Sequence, residues 1–87
     1  MKVVFLEESL NELSQYKFSQ PKLVFKVFEL LKDIEKTPFE GLGKPEPLKG
    51  QLQGFWSRRV TDEHRLVYKV MENEIQVFSC KSHYEQF

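Results

Sequence analysis

The run Phe55-Trp56-Ser57-Arg58-Arg59-Val60-Thr61-Asp62-Glu63-His64-Arg65-Leu66-Val67-Tyr68-Lys69-Val70-Met71-Glu72-Asn73-Glu74-Ile75-Gln76-Val77-Phe78-Ser79-Cys80 decides the fold. It holds three β-prone stretches, 55–60, 64–70 and 74–80, joined only by Thr61-Asp62-Glu63 and Met71-Glu72-Asn73. Connections this short join antiparallel neighbours, so the run predicts a meander. In the middle stretch His64, Leu66, Tyr68 and Val70 share one face, while Arg65, Val67 and Lys69 share the other. The first set is the more apolar and belongs to the core, which sends Arg65 to the open face. On the preceding stretch Phe55, Ser57 and Arg59 alternate against Trp56, Arg58 and Val60, and Arg59 joins Arg65 if the hairpin register allows. In the third stretch Ile75 and Val77 compete with Phe78 and Cys80 for the core, and alternation leaves its parity open.

Upstream the period changes from two residues to that of a helix. After a short β-prone segment at Lys2 to Leu6, apolar residues recur at Leu6, Leu10, Leu13 and Tyr16, which predicts a first helix burying that stripe. Ser19-Gln20-Pro21 interrupts it, with a serine suited to capping and a proline suited to a first helical turn. Leu23, Val27, Leu30, Leu31 and Ile34 then trace the stripe of a second helix ending near Lys36. Residues 37–50 hold three of the four prolines and three of the four glycines and read as a long loop of functional type. The architecture that follows is α+β: two N-terminal helices packed on one face of a small antiparallel sheet, the other face left open.

Composition bounds the rest. With 87 residues, 40% of them apolar and 14% aromatic, the chain supports a single domain over 1–87 with one core. Cys80 stands alone, so no internal bridge supports the fold and a reducing compartment is the simpler setting. The longest apolar run is Val3-Val4-Phe5-Leu6, far short of the roughly 20 residues a membrane span needs, and the protein is read as cytoplasmic with no membrane partner. Thirteen basic residues against thirteen acidic ones give no net charge, whereas tight unaided nucleic-acid binding draws on a basic excess. The arginines, Arg58, Arg59 and Arg65, lie together on the β-prone run, and any polyanion contact belongs there.

Few side chains are suited to chemistry. Glu46 stands between Pro45 and Pro47, whose rings hold it on a stiff extended segment, and Lys44 and Lys49 favour its ionised form. That suits a general base, although a solvated loop glutamate would read the same way. His64 opens a strand on the presumed core face, where a structural histidine is the simpler reading, whereas His83 near the chain end has no evident packing duty. The spacing of Cys80 and His83 matches no Cys/His metal site, and Cys80 lacks the basic flank or helix start that activates a nucleophile. Glu46, Arg65 and His83 together are what metal-free, cofactor-free RNA cleavage requires: a base for the 2′-hydroxyl proton, a cation for the phosphorane, and an acid for the departing 5′-oxygen. RNA supplies the nucleophile itself, which allows such an enzyme to be small.

The motifs from Thr37 to Lys49, Gly54 to Thr61 and Glu63 to Tyr68, with the closing His83-Tyr84, resemble the YoeB/Txe toxins of the RelE superfamily, and the likeness runs from Met1 to Tyr84. The resemblance implies a RelE-like microbial RNase fold and the toxin of a type II toxin-antitoxin pair, a ribosome-dependent endonuclease cutting mRNA in the ribosomal A site. It places the general base on Glu46, the transition-state arginine on Arg65, the general acid on His83 and a supporting, stacking residue on Tyr84. It assigns phosphate and ribosomal RNA contacts to Lys49 and Arg59, and the neighbouring Lys44 and Arg58 are taken with them as further RNA or ribosome contacts. It further implies a YefM/Phd-like antitoxin, repression of the operon through operator DNA bound only by the joint complex, and homodimers. The chain departs from the family in continuing past His83-Tyr84 with Glu85-Gln86-Phe87. The rival reading is a non-catalytic, ParE-like toxin that binds DNA gyrase, since a shared fold does not settle function; such a binder has no need of Glu46, Arg65 and His83 together.

Overall fold

The computed structural model of the chain describes residues 1–82. The elements run β1 (Lys2–Phe5), α1 (Glu7–Ser19), α2 (Pro21–Lys36), β2 (Glu46–Pro47), a 3-10 turn at Gly50–Leu52, β3 (Trp56–Arg59), β4 (Arg65–Val70) and β5 (Glu74–Ser82). The strands form one sheet in the order β1-β5-β4-β3-β2, with α1 and α2 against one face. The meander β3-β4-β5 is antiparallel as its short turns require. β1 pairs in parallel with β5, Val3 opposite Ile75 and Phe5 opposite Val77, so the sheet is mixed. Both helices and strands β2 to β4 lie between these two strands in the chain, which gives the long crossover that a parallel pair demands.

α2 buries the stripe its sequence announces: Val27, Leu30 and Ile34 are fully buried and Leu31 nearly so. Pro21 opens it, but Ser19 is the last residue of α1 and caps nothing, its hydroxyl bonding back to Gln15 O at 3.0 Å. α1 keeps Leu13 and Tyr16 of the expected stripe against the core, but not Leu10. Leu10 is 53% exposed, while Ser9 and Tyr16 are buried. The cause is polar anchoring to β5. The Ser9 hydroxyl lies 2.8 Å from Val77 O, Tyr16 donates to Cys80 O at 2.7 Å, and the Glu12 carboxylate accepts from Cys80 N at 2.7 Å and Ser79 Oγ at 3.0 Å. Four directed hydrogen bonds outweigh the burial of one leucine side chain.

β5 owes its ambiguous parity to its register. Tyr68 faces Val77 but Val67 faces Ser79, and Arg65 faces Ser82, so β5 carries extra residues relative to β4 at two points. Each such bulge resets the alternation. Ile75, Val77 and Cys80 are therefore all fully buried, and Phe78 instead meets Phe55 edge to face at 4.4 Å between ring centroids. The face away from the helices is not open throughout: Ser57 is 1% exposed, Val67 3% and Arg65 8%.

Candidate active site

Glu46 does not ride on a free loop. It opens β2, a two-residue strand that adds to the edge of β3 with Glu46 opposite Ser57 and Pro47 opposite Trp56. Proline is tolerated here because an edge strand has no neighbour on its far side. The chain enters β2 through Gly43 (φ 79°) and Lys44 (φ 52°), two successive left-handed residues that turn it sharply onto the sheet edge. Leu48 N donates to Phe55 O at 2.9 Å and its side chain is buried, fixing the segment beyond Glu46 as well.

The cross-strand register then assembles the face. Directly opposed residues project to the same side, so Glu46, Ser57 and Val67 form one row across β2, β3 and β4, and Arg59 and Arg65 form the next. Glu46 and Arg65 stand two strand spacings apart laterally, about 9.5 Å, and two residues apart along the strands, about 6.7 Å. Side chains as long as glutamate and arginine can close on a phosphate from that separation. Arg65 is oriented by the β3–β4 turn, where its Nη1 donates to Thr61 O at 3.1 Å and Asp62 O at 2.9 Å. Thr61 shapes that turn by accepting from Glu63 N and His64 N at 3.1 and 3.0 Å. Arg59 is half-buried, Lys44 and Lys49 are exposed, and none of the three enters an ion pair among the described residues.

Arg58 is elsewhere, and its assignment to RNA or ribosome contact does not hold. Its side chain is fully buried on the helix side of β3 and its guanidinium is consumed within the protein. Nη1 pairs with Asp33 and donates to Leu42 O at 3.1 Å. Nη2 donates to Thr37 O at 2.7 Å and Glu40 O at 2.9 Å, and Nε to Tyr68 OH at 3.2 Å. Tyr68 OH in turn donates to Pro38 O at 2.8 Å. This knot ties the loop at 37–44 to α2, β3 and β4. A Cβ at Gly41 would collide with Asp33 Oδ2, so the loop can close on the knot only with glycine there. The Leu42 N–H, then the Arg58 guanidinium, hold the Asp33 carboxyl below its ordinary range. Sequence reasoning took the paired arginines as one basic patch; the alternation that groups Arg58 with Trp56 and Val60 carried the signal for its true position.

His64 is half-buried beside Tyr16, their rings 5.9 Å apart, on the helix side as a structural histidine would be. Burial, and secondarily Glu12, push the Cys80 thiol up to about 12, which removes it as a nucleophile. Among the described residues no three His, Cys, Asp or Glu side chains gather in a way that could hold a metal ion. No helix in those residues is long and apolar enough to cross a membrane. His83, Tyr84 and residues 85–87 lie outside the described residues.

The sequence matches the model of the YoeB-like toxin of bacterial type II toxin-antitoxin systems over residues 5–84. The chain belongs to that family. It is 49% identical to Toxin YoeB of Escherichia coli (strain K12), over 97% of this chain and all of that protein. The structure of a YoeB dimer from Staphylococcus aureus superposes with a TM-score of 0.92 at 42% identity, covering 97% of this chain and 98% of that one. A YoeB toxin in a heterotetrameric YoeB-YefM toxin-antitoxin complex from the same organism gives 0.88 at the same identity and coverage. The chain is thus a toxin of a type II toxin-antitoxin system, with the α+β fold of the YoeB and RelE toxins.

Proposed function

We propose that this YoeB-family toxin is a ribosome-dependent, metal-independent mRNA endonuclease that cuts in the ribosomal A site. The observation that carries the reading is the register placing Glu46, Arg59 and Arg65 on one helix-free face. Glu46 takes the proton of the 2′-hydroxyl, which attacks the adjacent phosphorus. Arg65 holds the charge that develops on the phosphorane oxygens, its planar fork matched to two of them. The 5′-oxygen leaves with a proton, and His83 supplies it as general acid, with Tyr84 stacking on a neighbouring base; these two roles rest on the family motif. The products are a 2′,3′-cyclic phosphate and a 5′-hydroxyl. Lys44, Lys49 and Arg59 contact the RNA backbone and ribosomal RNA.

The absence of net charge supports dependence on the ribosome. A protein with no basic excess gains little long-range attraction to free RNA. It needs only local cations once the ribosome presents a threaded and oriented message, because proximity then supplies much of the rate. The natural controller is a YefM-like antitoxin, as in the Staphylococcus aureus complex, with joint repression of the operon by the pair. The Staphylococcus aureus dimer supports self-association, and the ribosomal target places the action in the cytoplasm.

The test is incubation of purified protein with mRNA, with and without ribosomes, followed by mapping of cut sites and ends. Cutting only on ribosomes, in the A site, with a cyclic phosphate at the 3′ end is expected. Equal cutting of naked RNA would refute the ribosome requirement, and no cutting in either arm would favour the gyrase-binding reading.

A further inference from the structure

The row that carries Glu46 contains a group with no assigned duty. Ser57 stands directly opposite Glu46 and is 1% exposed, and its hydroxyl has no hydrogen-bond partner among the described residues. Serine in a core strand is readily replaced by alanine or valine, and an unsatisfied buried hydroxyl costs stability. An unsatisfied buried hydroxyl calls for an explanation, and a hydrogen bond made in another state is one. The neighbours define which bond that is. Val67, the other member of the row, accepts nothing, and Arg59 and Arg65 in the next row only donate. The acceptor within the row is the Glu46 carboxylate, carried on a strand whose Cβ lies about 5 Å away.

Building on the proposed reaction, we propose that Ser57 is the positioning residue of the general base: when substrate engages Glu46, the Ser57 hydroxyl donates to the carboxylate oxygen that does not take the 2′-hydroxyl proton. The bond leaves the other oxygen aimed at the nucleophile and restricts the glutamate's rotation. Burial serves this end, because water cannot reach the hydroxyl and compete for it. Ser57 touches neither RNA nor phosphate. The proposal separates two properties that a packing residue would couple, since the hydroxyl burdens the folded protein and assists only the reacting one.

The experiment measures thermal stability and single-turnover cleavage on programmed ribosomes for wild type, Ser57→Ala, Ser57→Thr and Glu46→Ala. Ser57→Ala should raise Tm or leave it unchanged, slow the saturated cleavage rate by about tenfold or more, the scale of one hydrogen bond to a charged group, and leave the half-saturating ribosome concentration unchanged. Ser57→Thr restores the hydroxyl on a strand-compatible side chain and should recover most of the rate. An unchanged rate in Ser57→Ala beside an inactive Glu46→Ala would overturn this proposal while sparing the reaction scheme. Wild-type rates in both variants would overturn the scheme itself. A lowered Tm in Ser57→Ala would show that the hydroxyl is already engaged in the fold, and failure of threonine to recover the rate would show that the hydroxyl is not what matters; either result overturns the positioning role.

Discussion

Arg58 and Arg59 are neighbours in the chain and opposites in the molecule. One is fully buried on the helix side of β3 with its donors spent on Asp33, Tyr68 and loop carbonyls; the other faces the Glu46 row, half-buried and without an ion pair among the described residues. The same guanidinium holds the fold together in one case and lies on the proposed RNA-binding face in the other, and strand parity alone makes the difference. Arg65 is intermediate, buried and tethered to its turn, yet on the face of Arg59. On the proposed reading, building and binding are divided between the two sides of one strand, and substitutions should separate them.

The largest effects are expected on the reacting side. Glu46→Ala should lower single-turnover cleavage on programmed ribosomes by roughly 10² to 10⁴ with ribosome binding intact, and Arg65→Ala by at least about 10². On the building side, Arg58→Ala removes a fully buried guanidinium and orphans several carbonyls, each costing about 1–3 kcal/mol when left unsatisfied, and should lower unfolding free energy by more than about 2 kcal/mol in denaturant titration. Arg59→Ala, two atoms of chain away, should change stability by no more than about 0.5 kcal/mol while weakening ribosome binding. If the two arginine variants behave alike, the division by parity is wrong.

A smaller effect depends on pH. Asp33 has its pKa lowered on folding, so its charge adds stability above the unfolded value near 4 and that contribution is lost as pH falls through the lower folded value. Asp33→Asn should therefore melt below wild type at neutral pH, with the gap closing in acid. A gap that persists at low pH would mean that the carboxylate charge is not what the knot uses. The smallest effect is expected at Cys80, whose raised pKa keeps it a thiol: the folded protein should resist alkylation at pH 8, and prompt labelling would contradict its burial.

How far the sequence revealed this molecule follows from the same physics. α2 was legible because its stripe is apolar and unbroken, and the meander because its turns are short. In α1 the stripe held at Leu13 and Tyr16 but failed at Leu10, because the helix is fastened to β5 through Ser9, Glu12 and Tyr16, and hydropathy does not register hydrogen bonds. The parity of β5 was undecidable because two bulges change it midway, which no alternation rule contains. Glu46 was recognisable as a stiffly held carboxylate between prolines, but its attachment to β3 was not, since a two-residue strand has no period to detect. The shared face of Glu46, Arg59 and Arg65 was half visible: Arg65 from alternation within β4, Arg59 only once the hairpin register was fixed.

The account stands most directly on the identity of the nucleophile. Programmed ribosomes carrying an mRNA with a single 2′-deoxynucleotide at the attacking position of the A-site codon should be left uncut by the wild-type toxin, while the all-ribose message is cut to a 2′,3′-cyclic phosphate. Cleavage of the deoxy message at a comparable rate would require water as the nucleophile and would contradict the role given to Glu46.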